Sequence, residues 1–190
     1  MSDRIAVGLD VHARSTSACA IDEATGEVRR ARMGPDRDEV IRWLVALGGE
    51  VTATYEAGPT GYVLAREIQQ AGIRCVVCAP GKIPRAPGDR VKTDQRDAER
   101  LARLLRLGEL TAVRIPELKQ EAARDVVRAR EDARGDLMRA RHRLSKFLLR
   151  RGYLFDGSAW TIRHDGWIRH ITLADPVARA CAHLLLRGAA

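Results

Sequence analysis

The sequence predicts an α/β fold, a mixed sheet with flanking helices followed by a long helical extension. Three features predict it. Short apolar runs ending in an acid or a turn recur through the first 80 residues, helical spacing separates the later runs, and one unbroken helical pattern occupies roughly 117–151. With 190 residues and 45% hydrophobic content the chain can bury one good core and carry an appendage, but not two full enzyme domains. The expected division is a sheet domain over 1–112 and a helical region over 113–190.

RIAVGLD, residues 4–10, is a short apolar strand that ends in Asp10. STSACAID (15–22) alternates small and polar residues, ATGE turns the chain, and VRRARM (28–33) reads as a third strand, so a hairpin meander opens the domain. DRDEVIRWLVALG (36–48) has helical spacing through Val40, Ile41, Leu44 and Leu47, an acidic first turn and a glycine stop. VTATYEAG (51–58) is a strand that reaches Glu56, TGYVLAREIQQAG (60–72) a second helix and IRCVVCAP (73–80) a buried strand. The order helix, strand, helix, strand after a meander implies parallel crossovers, with helices on both faces of the sheet.

GKIPRAPGDRVKT (81–93) holds too many prolines and glycines for regular structure, and helix resumes at TDQRDAERLARLLRLGEL (93–110). In the long pattern that follows, Leu118, Ala122, Val126, Ala129, Ala133, Leu137, Ala140, Leu144 and Phe147 are three or four residues apart. A helix of that length projects or pairs. After a segment holding Trp160, His164, Trp167 and His170, a short apolar helix is expected in DPVARACAHLLLRG (175–188).

The formal net charge of +8 arises mainly from arginine, whose planar fork grips phosphate oxygens in pairs. A polyanionic partner is expected, nucleic acid above all. No segment reaches the roughly 18 apolar residues of a membrane span and the N-terminus lacks a signal-peptide pattern, so a cytoplasmic protein is expected. Two basic stretches are candidate backbone contacts. One is Lys82, Arg85, Arg90 and Lys92 in the Pro/Gly loop; the other is Arg139, Arg143, Lys146 and Arg150 at the acid-free end of the long helix. With 4% aromatics, binding by base stacking is not expected, and Trp160 and Trp167 read as helix-packing residues. Cys75 and Cys78 have a metal-like spacing, but on a strand they point to opposite faces, and the valines between them mark core.

If the first and fourth strands are parallel neighbours, Asp10 and Glu56 emerge together at the carboxyl edge of the sheet, where open α/β sheets keep their sites. Asp94 and Asp97, three apart, share a helix face. Taken alone, that pair reads as an N-cap with an acidic first turn, worth about 1 kcal/mol and needing no chemistry. Taken with Asp10 and Glu56 it forms a cluster whose mutual repulsion calls for a divalent cation, magnesium or manganese. A pair of ions roughly 4 Å apart would stabilise both the attacking and the leaving oxygen of a phosphodiester displacement. His12 faces the same side as Asp10 and reads as a polar edge residue or as a contact to phosphate or metal-bound water. Tyr62 reads either as packing on the sheet or as facing nucleic acid.

Four segments, VGLDVHARSTSACAID, ATYEAGPTGYVLAREI, VVCAPGKIPRAPGDRVKTDQRDAERLARLLRLGEL and RAREDARGDLMRARHRLSKFLLRRG, resemble the DEDD transposases of bacterial insertion sequences, the insertion-sequence-110 family of bridge-RNA-guided recombinases. The likeness covers roughly residues 5–170, and EAGPTGY and KTDQRDA are its most specific blocks. It implies an RNase H-like, RuvC-like domain whose Asp10, Glu56, Asp94 and Asp97 bind magnesium. It further implies a coiled-coil linker used to form dimers or tetramers, and a structured guide RNA with donor and target DNA as partners. Members of that family continue into a domain with a serine nucleophile. Ser2, Ser15, Ser17, Ser145 and Ser158 match no such motif, so this stretch is expected to supply the carboxylates alone, with the serine-bearing domain truncated away. The residues by themselves leave open two other functions: a stand-alone, Holliday-junction-resolvase-like nuclease, and a non-catalytic RNA-binding and dimerisation module.

Overall fold

The computed structural model describes residues 4–84 and 93–189, in two compact units that divide at residues 115 and 116. Arg85, Arg90 and Lys92 lie outside the described residues. The first unit is built on a five-stranded sheet in the order β3-β2-β1-β4-β5. β1 (Arg4–Val11), β2 (Thr16–Asp22) and β3 (Val28–Met33) form the antiparallel meander; β4 (Glu50–Glu56) and β5 (Arg74–Cys78) add to β1 in parallel. The mixed sheet and the parallel neighbourhood of the first and fourth strands are as the sequence predicts.

Period-two alternation along β1 assigns its two faces. Ile5, Val7 and Leu9 join Ala53, Tyr55 and Val77 beneath α1 (Arg37–Ala46) and α2 (Val63–Gln70), which contribute Val40, Leu44, Leu64 and Ile68. Each such fully buried aliphatic side chain contributes on the order of 2 kcal/mol by leaving water. The other face carries Ala6, Gly8 and Asp10 and is covered by α3 (Asp94–Arg106). Cys75 belongs to the first cluster, whereas Cys78 packs with Ile83, Leu101 and Leu104 on the second. Burial pushes the Cys75 thiol up to about 12, so it is a neutral core residue. Tyr62 packs against the first cluster too.

The second unit contains α4 (Leu118–Leu149), α5 (Ile162–His170) and α6 (Pro176–Ala189). The long helix is present at 32 residues. Its early apolar positions are uncovered, with Leu118 at 69% and Val126 at 70% exposure, and only Ala140, Leu144, Phe147 and Leu148 are buried. Those four pack with Ile168, Leu173 and Ala178, and Trp160 and Trp167 close the same cluster as packing residues. α5 has no counterpart in the sequence reading. No helix of the described residues is long and apolar enough to cross a membrane.

Candidate functional site

β1 and β4 run in register, Gly8 beside Thr54 and Leu9 beside Tyr55, so Asp10 and Glu56 follow as the next pair where the strands end. Both line one cleft of about 620 Å³, bounded by residues 10–13 at the end of β1 and 56–60 at the end of β4. The β4 side is pinned from within. The Ala57 N–H donates to the Cys78 carbonyl at 2.8 Å, and the buried Tyr55 hydroxyl donates to the Gly61 carbonyl at 3.0 Å. Gly61, at φ 68°, takes a left-handed conformation that suits glycine.

α3 brings the other two acids. It lies so close over β1 that a Cβ on Gly8 would stand 2.0 Å from the Ala98 carbonyl oxygen and 2.5 Å from the Ala102 nitrogen. The Gln95 amide donates to the Ala18 carbonyl at 3.1 Å, anchoring the first turn to β2. The cap expected of Asp94 belongs instead to Thr93, whose hydroxyl accepts from the Arg96 N–H at 3.3 Å. Threonine is the weaker cap of the two, yet its hydroxyl takes the bond, and Asp94 becomes the first helical residue with its carboxylate released toward β1.

The quartet is brought together in two halves. Asp10, Asp94 and His12 present ligand atoms within 4.8 Å of one another. His12 Nε2 is 3.0 Å from Asp10 Oδ2 and 3.8 Å from Asp94 Oδ1, and Arg32 lies 3.9 Å from Asp94 at the rim. Glu56 and Asp97 are bridged by Arg100, at 3.5 and 3.2 Å. Burial holds the Asp10 carboxyl above its usual range; His12 opposes this, while the charges of Asp94 and Asp97 add to it. A carboxylate partly withdrawn from water and crowded by two others is a fitting seat for a hard divalent cation such as magnesium or manganese.

Arg100 and Gly8 escape the sequence reading. The only trace of Arg100 is its i+3 spacing from Asp97, a common helical ion-pair spacing; that of Gly8 is a glycine inside an apolar strand, which signals close backbone approach.

Among the basic candidates, Lys82 is exposed at the end of a single 3-10 turn, Pro80–Lys82. Arg139 is engaged by Asp136 one turn away, while Arg143, Lys146 and Arg150 are exposed along the last turns of α4.

Comparison with known proteins places these residues in context. The family model for DEDD transposases of the IS110 type, described as a transposase, matches residues 7–151. The chain is 45% identical over 172 residues to y4qE, a candidate transposase of Sinorhizobium fredii, covering 86% of this chain and 43% of that protein. It is 36% identical over 178 residues to the transposase for insertion sequence element IS1533 of Leptospira borgpetersenii, covering 90% of this chain and 51% of the relative. The chain thus spans about half the length of the curated relatives it matches.

Proposed function

Because the chain belongs to the IS110 family of DEDD transposases, we propose that it is the carboxylate-bearing part of a transposase that cuts and exchanges DNA strands with a divalent metal. The observation that carries this reading is the meeting of Asp10 with Asp94, from a strand end and a helix start far apart in sequence, at the mouth of the cleft that Glu56 also lines. The sheet order, a meander extended by two parallel strands, is compatible with an RNase H-like, RuvC-like domain.

Asp10 and Asp94 would hold the ion, with Glu56 and Asp97 at the same edge. When bound, such an ion withdraws charge from the scissile phosphate and readies the attacking oxygen. The chain's own residues fix the geometry. His12 orients Asp10 through their 3.0 Å hydrogen bond, Thr93 and Gln95 set the rotation of α3, and the pinned turn after β4 keeps Glu56 at the cleft. Donor and target DNA, a structured guide RNA, and self-association through the uncovered stripe of α4 belong to the same proposal. The net charge of +8 and the exposed Leu118 and Val126 support it.

The test replaces Asp10 or Asp94 by asparagine in the assembled transposase. Magnesium-dependent strand cleavage is expected to fall to background while DNA binding persists. Retention of both cleavage and magnesium affinity would overturn the metal role.

A further inference from the structure

Arg100 stands inside the carboxylate cluster and divides it. Its guanidinium reaches Asp97 at 3.2 Å and Glu56 at 3.5 Å, with the side chain only 21% exposed. Its Nε is buried and has no hydrogen-bond partner among the described residues. The guanidinium is therefore drawn inward by charge without having its donors fully satisfied, a posture that a stronger cation can displace. Asp10, His12 and Asp94 form the other half, where the guanidinium of Arg32 is 70% exposed and 3.9 Å from Asp94.

Resting on the metal-site reading above, we propose that Arg100 is a tethered cation that fills the Glu56 and Asp97 half of the site and holds the resting site to one divalent ion, at Asp10 and Asp94. Charge balance supports one ion over two. Among the described residues, four carboxylates answered by the guanidinium of Arg100 and, at the exposed rim, that of Arg32 still leave enough negative charge to retain a single divalent ion. A second ion would have to sit against the guanidinium itself, where repulsion between a double and a single positive charge is strong in a half-buried site. A second ion therefore enters only when Arg100 swings out, and the incoming phosphate backbone is a natural acceptor for the released fork.

Manganese titration of the 190-residue chain, followed by calorimetry and by the electron paramagnetic resonance of free Mn2+, tests the proposal. The wild type is expected to bind one ion, Arg100→Gln and Arg100→Met two, and Arg100→Lys one. Metal-free Arg100→Gln is expected to melt below wild type, because Glu56 and Asp97 then face each other unneutralised, and Mn2+ should restore it. The proposal is overturned if the folded Gln and Met variants bind the same number of ions as wild type with the same affinity, or bind none. It is equally overturned if wild type already binds two, or if Mn2+ leaves the melting deficit in place. Asp10→Asn separates the two levels. If it weakens Mn2+ binding while the Arg100 variants change nothing, only the Arg100 role fails; if wild type binds no better than Asp10→Asn, the metal site fails with it.

Discussion

One residue separates the cap from the candidate metal ligand at the start of α3. Thr93 takes the capping bond and frees Asp94, although capping preference ranks aspartate ahead of threonine, so propensity alone would have made Asp94 the cap. Asp10 and Glu56 were legible because an apolar alternation fixes which way the last residue of a strand points. Arg100 was not, being one of 33 Lys and Arg residues, and Glu56, the partner that draws it into the cluster, lies on another element. His164 offers a test away from the site. It is 5% exposed, its Nδ1 accepts the Trp160 N–H at 2.9 Å, and that bond holds Trp160 in a left-handed backbone at φ 64°. Burial lowers the imidazole's affinity for a proton below its ordinary value of 6.5, so the unfolded chain takes the proton more readily than the folded one. The stability that neutral His164 provides is therefore complete above pH 6.5 and lost as the pH falls through and below it. Melting followed by helical circular dichroism should drop from pH 8 to pH 5, and His164→Gln, which can still accept but does not titrate, should flatten that drop. An equally steep fall in the variant would assign the effect to other groups.

At the scale of elements, the contact of α3 with β1 positions the site, and it depends on the missing side chain of Gly8. Because the atoms in the way are backbone, neither a rotamer change nor a small side-chain shift relieves Gly8→Ala. We expect a loss of at least about 3 kcal/mol in urea unfolding, together with loss of Mn2+ binding in whatever fraction still folds, because the helix must lift Asp94 away from Asp10. A change within about 0.5 kcal/mol would mean that α3 sits farther from the strand. The ion pair of Glu99 with Arg30, at 2.7 Å, ties the same helix to β3, and together with the pair to Arg103 on the helix itself, at 2.6 Å, it holds the Glu99 carboxyl below its usual range. Strands and the long helix could be read from period and length. α5 could not, because IRHDGWIRH has nine residues with a glycine inside and its stability comes from packing with Phe155 and α4, which no local pattern reveals.

At the scale of the whole molecule, composition speaks of partners and the structure says which charges are free to meet them. A net charge of +8 makes a polyanion the natural ligand, yet Arg139 is already engaged by Asp136 and Arg141 lies over the Trp160 ring at 4.9 Å. Arg143, Lys146 and Arg150 are exposed on α4, so they rather than Arg139 should release counterions when nucleic acid binds. Each change to glutamine is expected to flatten the dependence of log affinity on log salt by about one unit, whatever the sequence of the duplex or RNA. Arg139→Gln should do less, since its charge is half answered before binding. Asp10→Asn should leave the slope unchanged, because the proposed metal seat and the proposed backbone contacts use different residues. Equal slopes for wild type and the triple glutamine variant, measured by fluorescence anisotropy between 50 and 200 mM salt, a range over which phosphate-contacting proteins lose about 10³–10⁵ in affinity, would move the binding surface away from α4.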